Sequence, residues 1–185
     1  MSQKIFDLKL SRFISLKSAK IRLRPFKEDD ITPTYISWLN NPEVVRYSNQ
    51  RFCKHTEENC RQYLAAFTGS SNHFLAIEDC ASRFMLGTLT VYRSLHHRTA
   101  DIGIMIGNPA CWGKGIGFEA FRTISEGLER SGEIRKITAG TSAMNVGMIR
   151  IMEKAGLSLE ATRRDQELID GRSVDLLYYA KFCEA

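Results

Sequence analysis

The chain has 185 residues, 43% of them hydrophobic and 25% charged, with a formal net charge of +5. That balance excludes a mainly disordered chain, and the length favours one domain around one core. Apolar stretches fall well short of the roughly 20 residues of a membrane span, and the cations are scattered (Arg22, Arg24, Lys114, Arg150, Arg163, Arg164) rather than massed as a nucleic-acid footprint.

Residues 1–18 alternate apolar and basic side chains without a continuous apolar run, so they read as an N-terminal extension and not a secretory leader, ahead of a single domain over 19–185. Ala19 to Arg24 alternates as a strand and stops at Pro25. Asp29 and Asp30 are placed to cap a helix carrying Tyr35, Ile36, Trp38 and Leu39, which Asn40-Asn41-Pro42 ends. Thr56 opens a second helix with Cys60, Tyr63, Leu64 and Phe67 on one stripe. Strand-like runs follow at His73–Glu78, Phe84–Tyr92 and Asp101–Ile106, the last broken by Gly107-Asn108-Pro109. Gly115 to Arg130 reads as a helix and Lys136 to Thr141 as a strand. Asn145 caps a fourth helix, which Gly156 terminates. Leu157–Leu168 and Ser173–Phe182 are long strands joined by an Asp170-Gly171 hairpin turn. An antiparallel front half followed by a strand–helix–strand crossover predicts an α/β (α+β) fold. Its sheet is mixed and mostly antiparallel, with about seven strands flanked by about four helices.

Chemistry concentrates in Asn108–Ala120, NPACWGKGIGFEA. Gly113, Gly115 and Gly117 stand at alternate positions before a helix, where spaced glycines let backbone N–H groups converge and the first helical turn adds partial positive charge. With Lys114 beside them they make an anion site suited to a pyrophosphate. The Walker pattern is absent, and GKGIG is not the dinucleotide GxGxxG. Five cysteines without a CxxC pair and four histidines without ligand spacing predict no metal site, and reduced thiols fit a cytoplasmic protein.

The run ADIGIMIGNPACWGKGIGFEA resembles the acetyl-CoA-binding strand, loop and helix of GNAT acetyltransferases. NVGMIRIMEKAGL resembles that family's second cofactor motif. EATRRDQELIDGRSVDLLYYAKF and WLNNPEVVRYS resemble its ribosomal-protein-alanine and aminosugar acetyltransferase branch. The resemblance spans about Ala19 to Phe182 and implies acetyl-CoA as donor to a primary amine, with no metal. It implies that Trp112, Gly113, Lys114, Gly115, Ile116 and Gly117 hold the pyrophosphate. The strand edge Gly103–Ile106, with Ile104, Met105 and Ile106 as cofactor contacts, would meet the pantetheine, and Asn145 would contact it or cap its helix. The family often has Gln or Arg at the place of Ala110, Tyr at that of Met152 and Ser at that of Met148, so no side-chain acid for the leaving thiolate is evident.

Attack by a neutral amine needs a proton acceptor, and the developing oxyanion needs a donor, for which a backbone N–H near Met105 or Ile106 is suited. His97 and Asp101 are the candidate catalytic pair; His73 and His96 rank behind them, and His55 last. Arg46, Tyr47, Asn49 and Arg51 fall where the family shapes its acceptor site and suit a diphosphate or carboxylate. Arg164 is expected to pair with Asp101 or Asp175, or to reach the acceptor. The acceptor favoured is a small-molecule amine, an aminosugar either free or nucleotide-linked. The alternatives are the N-terminal amine of a ribosomal protein and a non-catalytic acyl-CoA-binding module. A monomer and a homodimer paired through the C-terminal hairpin both fit the sequence.

Overall fold

The structure, a computed structural model, describes residues 16–183; residues 1–15 of the expected N-terminal extension lie outside the described part. Strands β1 (Ile21–Pro25), β2 (His73–Asp79), β3 (Met85–Ser94), β4 (Thr99–Ile106), β5 (Lys136–Ser142), β6 (Ser158–Ile169) and β7 (Arg172–Phe182) form one sheet in the order β1-β2-β3-β4-β5-β7-β6. The helices are α1 (Pro33–Leu39), α2 (Glu57–Ala65), α3 (Ile116–Arg130) and α4 (Val146–Lys154). Every neighbouring pair of strands is antiparallel except β4 with β5. The predicted architecture is therefore the observed one.

Alternation along the strands splits the side chains between two helix layers. One face presents Ile21, Leu23, Leu89, Val91, Ala100, Ile102, Ile137 and Ala139 to α3 and α4. Helix α3 answers with Ile116, Ala120, Phe121, Ile124 and Leu128, a stripe at helical spacing. Burial of the fully covered Phe121 alone is worth about 3 kcal/mol. On the other face Phe74 and Ala76 pack with Phe26, Tyr35, Trp38, Leu39 and Cys60 beneath α1 and α2. Leu16 belongs with the first layer, its carbonyl accepting the Leu23 N–H, so the chain just before β1 is already docked.

One cap differs from expectation. Asp29 and Asp30 lie in a single 3-10 turn (Glu28–Asp30), and α1 starts two residues later on Thr32, whose hydroxyl accepts the Tyr35 N–H, with Pro33 at its first position. Asp30 is instead gripped by Arg24 through both guanidinium nitrogens at 2.7 Å. Two acids before an apolar stripe signal a cap, but a Thr-Pro pair offers both the acceptor and a φ already set for helix. The other expected caps form: Thr56 with Asn59 as a capping box, and Asn145 to the Met148 N–H. Asp170 and Gly171, both at positive φ, make the β6–β7 turn.

Candidate functional site

Strands β4 and β5 run side by side for three rungs only: Thr99 with Lys136, Ala100 with Ile137, and Asp101 with Thr138. Beyond Asp101 they part, while β5 stays paired to β7 as far as Ser142. The sheet thus carries a V-shaped gap whose apex is Asp101 and whose open end leads to the glycine loop.

Ladder geometry says which groups face that gap. The Gly107 N–H donates to the Leu86 carbonyl at 3.0 Å. Stepping back by alternation, the backbone groups of Met105, Gly103 and Asp101 turn to β3, and those of Ile106, Ile104 and Ile102 turn the other way. The Ile106 carbonyl confirms the direction, since it accepts the indole N–H of Trp112 at 2.8 Å. The free edge therefore offers the N–H and carbonyl of Ile104 and the N–H of Ile106. Met105 is placed otherwise than expected: its backbone faces Thr88 on β3 and its side chain packs with the Trp38 cluster.

At the mouth of the gap, Pro109–Cys111 form a 3-10 turn capped by Asn108, and the chain then passes through Trp112, Gly113, Lys114 and Gly115, all exposed. Gly115 stands at the start of α3 with φ +81, in the left-handed region that a side chain resists. A Cβ built there meets nothing within 4 Å, so the conformation rather than crowding requires glycine, and the space above the loop is open. The first helical bond is Glu119 N–H to the Gly115 carbonyl, which leaves the N–H groups of Ile116, Gly117 and Phe118 ahead of the ladder. Converging N–H groups, a helix start and the Lys114 ammonium fit a pyrophosphate. An extended chain of amides fits the Ile104–Ile106 edge, so the residues present suit an acyl-CoA.

Asn145 is committed within the protein, accepting from the Met148 N–H and donating to the Thr141 hydroxyl at 3.0 Å. Met148 and Met152, which occupy the family's Ser and Tyr positions, are both buried in the core beneath α4.

Asp101 is half-buried, and desolvation pushes its carboxyl above the usual range, against the Thr138 hydroxyl, which donates to it at 2.6 Å and lowers it. On its other side stands Tyr92, whose hydroxyl is 2.8 Å from that of Tyr63 on α2. Neither tyrosine nor Thr138 stands out in the sequence, because only the sheet register brings them to Asp101. The structure does not bring His97 there. His97 sits exposed in the turn between β3 and β4, two residues before β4 begins, its carbonyl accepting from Arg135.

The α1–α2 connector reaches the β6–β7 hairpin. Arg46 pairs with Asp170 at 2.7 Å and lies over the Tyr47 ring, and the Arg51 guanidinium donates to the Leu168 carbonyl. Asn49 opens a 3-10 turn capped by Ser48 beside them. Arg164 falls in a stretch of β6 where the register slips and is exposed. Its expected partners are engaged elsewhere, Asp101 with Thr138 and Asp175 with the Asp165 N–H. Arg163, its neighbour, stacks over Tyr178. All five cysteines are free. Among the described residues no helix is long and apolar enough to cross a membrane, and no three His, Cys, Asp or Glu side chains group as metal ligands.

A family model described as Acetyltransferase (GNAT) domain matches residues 20–158. The "Probable N-acetyltransferase YjcK" of Bacillus subtilis (strain 168) is 32% identical over 89 residues, 47% of this chain and 49% of that protein, so the match spans about half of that relative's length. Among solved structures, the ribosomal L7/L12 alpha-N-protein acetyltransferase RimL in complex with coenzyme A superposes with a TM-score of 0.79 at 17% identity, covering 91% of this chain and 97% of that one. Spermidine N-acetyltransferase from Vibrio cholerae, in complex with CoA and spermine, gives 0.79 at 18%, covering 90% and 97%. At such identities the two structures establish a shared fold.

Proposed function

We propose, for a chain that belongs to the GNAT family of acetyltransferases, that it transfers an acetyl group from acetyl-CoA to a primary amine of a small molecule. One observation carries the reading: the open edge of β4 runs from a half-buried carboxylate at the apex of the gap to a glycine-rich helix start at its mouth. The thioester supplies an acetyl carbonyl already activated for attack. The chain supplies the rest. Gly113, Lys114, Gly115 and the first turn of α3 hold the diphosphate, and the Ile104 and Ile106 edge aligns the arm. The free N–H of Ile104 or Ile106 is placed to donate to the carbonyl oxygen as it gains charge. An alkylammonium is mostly protonated at neutral pH, so its proton must leave before attack; Asp101, with a raised carboxyl pKa, takes it at the apex, the C–N bond forms as the C–S bond breaks, and coenzyme A departs as a thiolate that takes its proton from water.

The acceptor we favour within this class is an aminosugar bearing an anionic group, as a nucleotide-linked sugar does. Supporting this reading, Arg46, Arg51, Arg163 and Arg164 gather on the α1–α2 connector and the β6–β7 hairpin, which touch through Arg46 with Asp170 and Arg51 with Leu168. Guanidinium groups suit phosphate or carboxylate and disfavour a polycation. The test is thiol release from acetyl-CoA with a panel of nucleotide aminosugars, polyamines and N-terminal peptides. Release is expected with the aminosugars, and Asp101→Asn should lower turnover by about 10²-fold or more while His97→Ala stays near wild type. Absence of acceptor-dependent release across the panel would instead favour the non-catalytic acyl-CoA-binding module.

A further inference from the structure

We propose that Thr138 is a positioning residue for Asp101, a hydroxyl rotor that holds the carboxylate ready and then accepts from it once it is protonated. The proposal deepens the reading of Asp101 as base and rests on it. Thr138 lies at the last rung before β4 and β5 part, opposite Asp101 in register, so its side chain stands on the same face at the apex of the gap. Its Oγ1 is 2.6 Å from Asp101 Oδ2 and 3.5 Å from the Ala100 carbonyl. One hydroxyl has one proton and two acceptors within reach. With Asp101 ionised, the proton points to the carboxylate, which prefers the charge-assisted bond. When the amine N–H bond breaks, the pair stays on nitrogen and the proton forms an O–H bond on Asp101. The Thr138 proton then turns to the Ala100 carbonyl, and the hydroxyl oxygen accepts from the new carboxyl O–H. No group is left unpaired in either state.

The other titratable groups around Asp101 do not offer this. Tyr92, across on β3, is engaged with Tyr63 of α2, and Lys136, two residues back on β5, is ion-paired with Glu160. A hydroxyl that donates to the carboxylate also holds its proton affinity down, so removing it must move the acid limb of the rate profile upward.

The experiment compares kcat/KM against pH for wild type, Thr138→Val, Thr138→Ala and Thr138→Ser, with Asp101→Asn alongside and folding checked by thermal melts. Valine keeps the β-branched shape, and alanine serves as a second donor-free variant should valine not fold. The donor-free variants should shift the acid limb up by about one pH unit, the scale of a hydrogen bond to a charged group. Their kcat should fall several-fold with the KM for acetyl-CoA unchanged, and serine should restore the wild-type limb. An unmoved limb in a folded donor-free variant, or a serine variant that behaves like valine, would overturn the role of Thr138 while leaving Asp101 as base. Near-normal turnover in Asp101→Asn would overturn both.

Discussion

Glu78 on β2 is only 4% exposed and is shared by Arg22 at 3.0 Å, Arg24 at 2.7 Å and Arg83 at 3.1 Å. Burial alone would raise its carboxyl; the three arginines outweigh burial and hold it below the usual range. A carboxylate with a lowered folded pKa stabilises the protein above the unfolded Glu value of about 4.3, and that contribution is lost as pH falls through the folded value. Glu78→Gln should therefore cost about 3 kcal/mol at neutral pH, the scale of a broken buried ion pair. Urea titrations of the two proteins should begin to converge as the pH drops below about 4.3 and meet once it has passed the lowered folded value, where the wild type carries a neutral side chain too. A gap that stays constant down to pH 3 would show that Glu78 stabilises by packing alone. The arginines of β1 are visible in the sequence as the polar half of an alternating strand, but nothing there says that they meet on Glu78. The same holds at the site. Asp101 is legible as the start of a strand beside a recognisable motif, whereas Thr138 and Tyr92 join it only through long-range register. His97 is conspicuous because histidine titrates near neutrality, yet the strand carries Asp101 toward the gap and leaves His97 in the turn behind it.

The proposed acceptor side rests on elements that close on one another at their tips. The α1–α2 connector and the β6–β7 hairpin meet through Arg46 with Asp170 and through Arg51 with the Leu168 carbonyl, so two segments far apart in sequence are held together. The Arg46 pair is exposed on both sides, so solvent screens it and it adds little to stability. Arg46→Ala should thus leave the melting temperature nearly unchanged and raise the KM for an anionic acceptor several-fold, with the KM for acetyl-CoA unaltered. Unchanged kinetics toward every acceptor in the panel would remove the connector from the acceptor site. Most elements were readable from periodicity and caps: the α3 stripe, Thr56 and Asn145 as caps, and the Asp170-Gly171 turn. The start of α1 was not, because Asp29 and Asp30 look like a cap until Arg24, from a neighbouring strand, claims Asp30.

At the scale of the molecule, the gap exists because the sheet changes partners. The crossover through α3 makes β5 parallel to β4, and β5 then follows β7 instead of β4 after three rungs. Element order alone implied the mixed sheet. The parting of the strands is not legible in the sequence, since no local pattern encodes which rung is the last. Gly107 shows how tightly the arrangement is held: a Cβ there would stand 2.0 Å from the Trp38 ring, so α1 sits directly on the strand that leads into the loop. In the proposed function this gap and its glycine loop receive acetyl-CoA. Gly115→Val probes it most directly, because φ +81 resists a side chain while nothing in the protein crowds that position. Strain at one exposed loop residue costs about 1–3 kcal/mol, so the fold should persist. Calorimetric titration of acetyl-CoA into the folded wild type and the folded variant is predicted to show affinity lower by at least about tenfold in the variant, or roughly 1.4 kcal/mol. Equal affinities would contradict the placement.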